Sequence, residues 1–192
     1  MASSKRWVLS RIPPANERAL DLGGGAGELR EPLINLGYSY VNVDLSPSGA
    51  DAVVGDAHAL PFADASFELV VSSDSLEHFH TPLVALKEVH RVLTPGGMLV
   101  VWVPFMHPFH SSDYYRYTPL GIRHLMESAG LQVESLEAPL GPVTIIGEMA
   151  VAGLWKLRLP VRWLRQLTRW TDQHLGWHGA YAPYYLMVAR RP

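Results

Sequence analysis

The sequence predicts an α/β protein built on a largely parallel sheet, and three observations lead there. Five short apolar runs, Arg18 to Leu22, Tyr38 to Val43, Ala52 to Val54, Phe67 to Ser72 and Met98 to Val103, recur along the chain, and most of the gaps between them are long enough for a crossover. They lack the polar alternation of half-exposed strands, as expected of strands covered on both faces by helices. A glycine-rich turn follows the first run at once, and two later segments carry helix start and stop signals.

The elements follow in order. The first strand ends in the turn Asp21-Leu22-Gly23-Gly24-Gly25-Ala26-Gly27-Glu28, which bares backbone to a ligand before a helix begins. Thr81-Pro82 supplies an N-cap with proline at the first helical position, Leu83, Leu86, Val89, Val92 and Leu93 recur on one face, and Pro95-Gly96-Gly97 is expected to stop that helix. A second helix is expected from Thr118-Pro119 to Ala129, closed by Gly130 in a left-handed cap, and Leu131 to Leu136 returns as a strand. Residues 182–190 complete the sheet. The stretch 139–181 is too long for a hairpin and is read as a helical insertion between the last two strands, within a single domain spanning 1–192.

Composition narrows the function. With 192 residues, 48% hydrophobic and 18% charged, the chain can bury one core. Its 16 basic and 18 acidic residues leave a net charge of -2, so nucleic acid is not an expected partner. The absence of cysteine removes thiolate nucleophiles, cysteine-ligated zinc and iron-sulfur clusters. No secretory h-region follows Met1, and the longest apolar stretches, at 98–106 and 143–152, fall far short of the roughly 20 residues that span a bilayer, so a soluble cytoplasmic protein is expected.

The glycine turn excludes two common ligands. In a dinucleotide fingerprint begun at Gly23 the third glycine would fall on Glu28, an acid where a pyrophosphate should sit. No Lys-Ser or Lys-Thr follows, so it is not a P-loop. The turn fits D-x-G-x-G-x-G, and from Arg18 to Leu136 the chain resembles the class I S-adenosylmethionine-dependent methyltransferases, in particular their methyltransferase type 11 group. The resemblance implies that Asp21, Gly23, Gly25 and Gly27 pack against the methionine part of S-adenosylmethionine. Carboxylates suit its sulfonium and ammonium better than a helix dipole aimed at an anion.

Further motifs match. Asp44 ends Val41-Asn42-Val43-Asp44 about 20 residues past the glycines, where a carboxylate can accept from both ribose hydroxyls. Gly55-Asp56-Ala57 resembles the adenine-edge segment, which implies Asp56 and Ala57 at the base. Phe67 to Ser73-Asp74, then Leu76-Glu77-His78-Phe79, resembles the fourth strand and its loop, which implies Ser73 at the cofactor. Val89-His90-Arg91-Val92-Leu93-Thr94-Pro95-Gly96-Gly97-Met98-Leu99 resembles the helix, turn and fifth strand. The implied fold is the Rossmann-like, seven-stranded class I methyltransferase sheet, order 3-2-1-4-5-7-6 with strand 7 antiparallel.

For the acceptor, a base is needed only where a proton must leave, and His78 and His110 are the candidates. Asp113, Tyr114, Tyr115, Arg116 and Tyr117 crowd a loop where acceptor sites form in this fold; either they bind substrate, or Arg116 pairs with Asp113 and the tyrosines pack the loop. The run Asp113 to Pro119 resembles D-Y-x-R-[FY]-T-P in bacterial relatives close to glycan assembly, which implies a small-molecule or glycoconjugate acceptor methylated on O or N. No metal is expected, since no carboxylate cluster of the magnesium type is evident. A non-catalytic cofactor-binding partner protein is the alternative. Methylation of RNA or protein is disfavoured by charge and by Ser73-Asp74-Ser75-Leu76 in place of an N-P-P-Y motif.

The charge divides unevenly, -5 over 1–100 and +3 over 101–192. Trp155 to Trp170 carries Lys156, Arg158, Arg162, Arg165 and Arg169 and no acid, with Leu157, Val161, Leu164, Leu167 and Trp170 opposite the arginines at helical spacing and Pro160 expected to open the helix. Three uses stay open: its apolar side covers the sheet or crevice, lies on a membrane, or forms a homodimer. Only about 17 residues precede the first strand, so the N-terminal helices that cap the cofactor in many relatives are not expected. Segments 104–118 and 139–181 are expected to exclude water instead.

Overall fold

The computed structural model describes residues 2–49, 52–107, 112–155, 162–175 and 181–192. Among them one sheet contains β1 (Arg18–Leu22), β2 (Ser39–Asp44), β3 (Ala52–Val54), β4 (Phe67–Ser73), β5 (Leu93–Pro104), β6 (Gln132–Glu137) and β7 (Tyr184–Arg190). Their spatial order is β3-β2-β1-β4-β5-β7-β6, with β7 antiparallel to both neighbours, as the resemblance implies.

Alternation along the central strands separates two cores. Leu69 and Val71 of β4 face Val8, Leu29 and Leu33, while Val70 joins Leu86, Val89, Ile122 and Met126 on the other face. The first set comes from α1 (Ala2–Leu9) and α2 (Arg30–Asn35) with the turn before it; the second comes from α3 (Pro82–Val92) and α4 (Pro119–Ser128). Leu86, Val89 and Val92 lie on one stripe of α3 and are buried, worth about 1.5–3 kcal/mol each. A charge at Val89 would break that packing. Thr118 caps α4 by accepting from Gly121 N at 3.1 Å, and Gly130, at φ +88°, closes the turn after it.

Three features differ from expectation. Residue Leu93 already pairs with Phe67, so β5 begins directly after α3, and the Pro95-Gly96-Gly97 stop lies in an irregularity before the ladder resumes at Leu69 and Met98. Thr81 caps α3 by position alone, without a side-chain hydrogen bond. A helix, α1, does precede the first strand; Val8 anchors it on the sheet, and Lys5 Nζ lies 2.7 Å from Glu28 beyond the glycine turn.

Between β6 and β7 lie α5 (Pro142–Trp155) and α6 (Arg162–Leu175). Buried Asp172 of α6 accepts from the N–H groups of Gly141, Val143 and Thr144 at 2.7–3.0 Å, satisfying donors that the start of α5 leaves open. Among the described side chains of α6, Thr168 and Asp172 are buried, whereas Trp163, Leu167 and Trp170 on the apolar side are exposed. Pro160 lies outside the described residues.

Candidate active site

The carboxyl ends of β1, β2 and β4 meet around the glycine turn. Gly23 has φ +71°, and a Cβ there would stand 2.6 Å from Ser75 Cβ, so only glycine lets the turn approach the loop after β4. Gly25 has φ +51° with nothing within 4 Å of where a Cβ would sit; it lines a crevice, and its N–H donates to Asp44 at 3.0 Å. Asn42 Nδ2 donates to Gly25 O, so β2 holds the turn from beneath. Gly27 lines neither described crevice; its N–H donates to Gly24 O and its carbonyl accepts from Arg30 N, which leads the turn into α2.

Two crevices meet at Gly23 and Asp74. The larger, about 330 Å³, runs along Asp44, Asp56, Ala57, His58 and Phe79 to His78 and Ser112. The smaller, about 230 Å³, is walled by Asp21, Glu28, Ser73, Ser4 and Lys5. Burial pushes the Asp21 carboxyl up to about 6; the Tyr40 hydroxyl, donating at 2.7 Å, opposes the rise, while Asp44 and Glu28 add to it. Asp44 accepts one backbone N–H on each oxygen, from Gly25 and Ser46, which leaves a lone pair on each for a ribose hydroxyl. His58 N and the His58 ring share Asp56 Oδ1 at 2.9 and 2.6 Å, leaving Oδ2 for an exocyclic amine. Those hydrogen bonds to the backbone and ring of His58 lower the Asp56 carboxyl. The residues therefore fit an adenosine with a sulfonium amino-acid tail, apolar at the base and acidic at the ribose and tail.

The loop after β4 brings the acceptor candidates together. His78 lines the larger crevice with its side chain 28% exposed, and its Nδ1 lies 3.1 Å from Asp113 Oδ1. The Asp113 side chain is only 1% exposed and also pairs with Arg116 at 2.6 Å. Of the sequence's two readings of this loop, internal pairing thus describes Asp113 and Arg116. Tyr117 is buried and donates to Leu76 O; Tyr115 is exposed and donates to His80 O; Tyr114 is the most exposed of the three. Glu77 is fully buried beneath, and its carbonyl accepts from Tyr114 N and Tyr115 N. Burial pushes its carboxyl up to about 8, with Asp74 and Asp113 adding to the rise and Arg116 opposing it. His110 lies outside the described residues. Among those described, no group of three or more His, Asp or Glu is placed to hold a metal ion.

Sequence reasoning missed Lys5, which has no local signal because its partner lies across the glycine turn. It missed Asp74, whose φ of +53° is uncommon outside glycine and marks the junction of the crevices. Arg91, read only as part of a motif, and Glu88, not read at all, hold the adenine-side segment: Leu60 N donates to Glu88, and Arg91 donates to Leu60 O and Phe62 O.

Residues 20–101 match the family described as "Methyltransferase domain". A relative named demethylmenaquinone methyltransferase, from Renibacterium salmoninarum, is 36% identical over 141 residues, covering 65% of this chain and 58% of that protein. A second of that name, from Paenarthrobacter aurescens, is covered to 48%, so the chain spans about half the length of such relatives. Among solved structures, an S-adenosylmethionine-dependent methyltransferase from Mesorhizobium loti superposes with TM-score 0.68 at 18% identity, covering 99% of both chains. The [4+2]-cyclase SpnF superposes with TM-score 0.66 at 19% identity, covering 98% of this chain and 79% of that one. At such identities the superpositions speak for the fold alone. Residues 20–101 are thus similar to the methyltransferase domain family, and the sheet order and glycine turn are those of the class I methyltransferase fold.

Proposed function

We propose that the protein transfers the methyl group of S-adenosylmethionine to an oxygen or nitrogen of a small-molecule or glycoconjugate acceptor that gives up a proton. The observation that carries this reading is the His78 imidazole at the crevice wall with the buried Asp113 carboxylate at its Nδ1. When bound, the cofactor supplies an electrophilic methyl with a good leaving group, so alignment and exclusion of water can provide much of the rate.

Asp44 holds the ribose, Asp56 the amine of the base, and Asp21 and Glu28 the positive end of the amino-acid tail. Lys5 is the one cation among the residues lining the smaller crevice, and it receives the tail's carboxylate. The Ser112 carbonyl, 3.4 Å from Nδ1, and the Asp113 carboxylate beside it keep the proton of His78 on Nδ1, which leaves Nε2 to accept the acceptor's proton. Glu77, 3.9 Å from Nε2, stays protonated near neutral pH and adds no second anion there.

The test is transfer of labelled methyl to a panel of sugars and lipid-linked glycans, with demethylmenaquinone, suggested by the relative's name, as a separate arm whose methylation on carbon would count against transfer to oxygen or nitrogen. The expected result is turnover on at least one acceptor, lost in His78→Gln while S-adenosylhomocysteine still binds. A second reading is a cofactor-binding protein without methyl turnover, which the fold alone does not exclude, since a [4+2]-cyclase shares it. Binding of the homocysteine product with no transfer to any of the panel would favour it.

A further inference from the structure

We propose that α5 and α6 form a docking surface for an anionic lipid membrane. On α6, Trp163, Leu167 and Trp170 follow one another at i, i+4 and i+7 and stand 62%, 48% and 56% exposed. On α5, Ile146 and Met149 are exposed as well, on the side away from Gly147, the residue that meets Thr168 at the contact between the helices. A Cβ at Gly147 would lie 2.5 Å from Thr168 Oγ1, so the two helices touch closely there. Asp172, bound to three N–H groups at the start of α5, fastens the pair one turn further along. The apolar surface is therefore presented on a braced helix pair, with its own buried face already filled.

Charge chooses the occupant. From 142 to 175 the sequence carries five basic residues against two acids, Glu148 and Asp172, and Asp172 is buried in its cap. Exposed tryptophan and leucine beside net positive charge suit the headgroup layer of an anionic bilayer, where indole sits at the interface and lysine and arginine meet lipid phosphate. No described helix is long and apolar enough to cross a membrane, so the contact is peripheral.

The sheet register gives the surface a use. Leu186 of β7 pairs with Trp102 of β5 on one side and with Glu137 of β6 on the other, and Trp102 pairs with Ser73 of β4. The helix pair thus leaves and rejoins the sheet at the edge where β4 delivers Ser73 and the His78 loop. A membrane bound there lies beside the crevice mouth, within reach of an acceptor carried on a lipid.

This surface is argued independently of methyl transfer, and its test needs no turnover. The full chain is co-sedimented at low salt with vesicles of equal parts phosphatidylglycerol and phosphatidylcholine, and with phosphatidylcholine alone. Binding to the anionic vesicles that weakens with added salt is expected, with a loss of about tenfold or more in the triple variant Trp163→Ser, Leu167→Ser, Trp170→Ser while S-adenosylhomocysteine affinity is unchanged. If the triple variant does not fold, the single exposed substitution Trp163→Ser is expected to weaken partitioning by about threefold or more. Failure of the wild-type chain to bind anionic vesicles at low salt would overturn the proposal. So would undiminished binding by the variants, or a stable dimer that the substitutions dissociate in place of vesicle binding.

Discussion

Replacing Lys5 by methionine isolates one end of the cofactor. The Lys5 ammonium rests 2.7 Å from Glu28 with its side chain 32% exposed, on the wall that also carries Asp21 and Asp74. An ion pair in open water is worth about 0–1 kcal/mol, and a hydrogen bond to a charged group in a drier site about 1.5–3 kcal/mol. A site one-third exposed falls between, at about 1–2 kcal/mol, or roughly 5- to 30-fold in Kd. Isothermal titration should show Lys5→Met weakening S-adenosylhomocysteine by that factor. Decarboxylated S-adenosylmethionine, which lacks the carboxylate, should bind wild type and variant within about twofold of each other. Equal losses for both ligands, or none for either, would refute the assignment, because Lys5 would then only brace α1 against Glu28.

Other outcomes follow from the same geometry. Asp113→Asn should leave S-adenosylhomocysteine affinity intact and lower kcat by about a hundredfold, within the range of a positioned base, read by single-turnover methyl transfer over pH 5–9. Glu77→Gln tests the buried carboxyl, whose ordinary value near 4.5 is pushed up to about 8. Between those values the unfolded chain has released a proton that the folded chain keeps, so this group makes stability fall as pH rises, by up to about 4–5 kcal/mol. Urea unfolding at pH 5 and pH 8 should therefore show the glutamine variant gaining on wild type as pH rises; a constant difference would contradict the burial argument. Asp172→Ala leaves three N–H donors at the start of α5 without their carboxylate and should cost about 2–4 kcal/mol in the same assay.

The parts of the site that the sequence reveals are those built by local backbone. Gly23 and Gly25 need positive φ, and Asp44 ends a strand beside them, so spacing alone points to the crevice. The Leu131 to Leu136 strand and the Gly130 cap are legible for the same reason. What escapes is set by distant partners. Lys5 meets Glu28 only because Val8 seats α1 on the sheet, and Asp113 turns inward because His78 and Arg116 both face it. The onset of β5 at Leu93 is hidden by Pro95-Gly96-Gly97, which reads as a stop until the pairing of Leu93 with Phe67 is seen. For α6 the hydrophobic pattern is plain, but Thr168 and Asp172, not the tryptophans, take the buried side, because Asp172 is drawn to the N–H groups of α5. Periodicity identifies a face and leaves open what it meets.

The most direct test of the account is calorimetric titration with S-adenosylhomocysteine, with NAD as control, on wild type and on Asp44→Ala. Asp44 is assigned two ribose hydroxyls and also accepts from Gly25 N, so its loss should weaken binding by about a hundredfold or more. Micromolar binding to wild type, nearly abolished in the variant and absent for NAD, is the predicted result. Absence of binding to wild type, or equal binding by both proteins, would contradict the account.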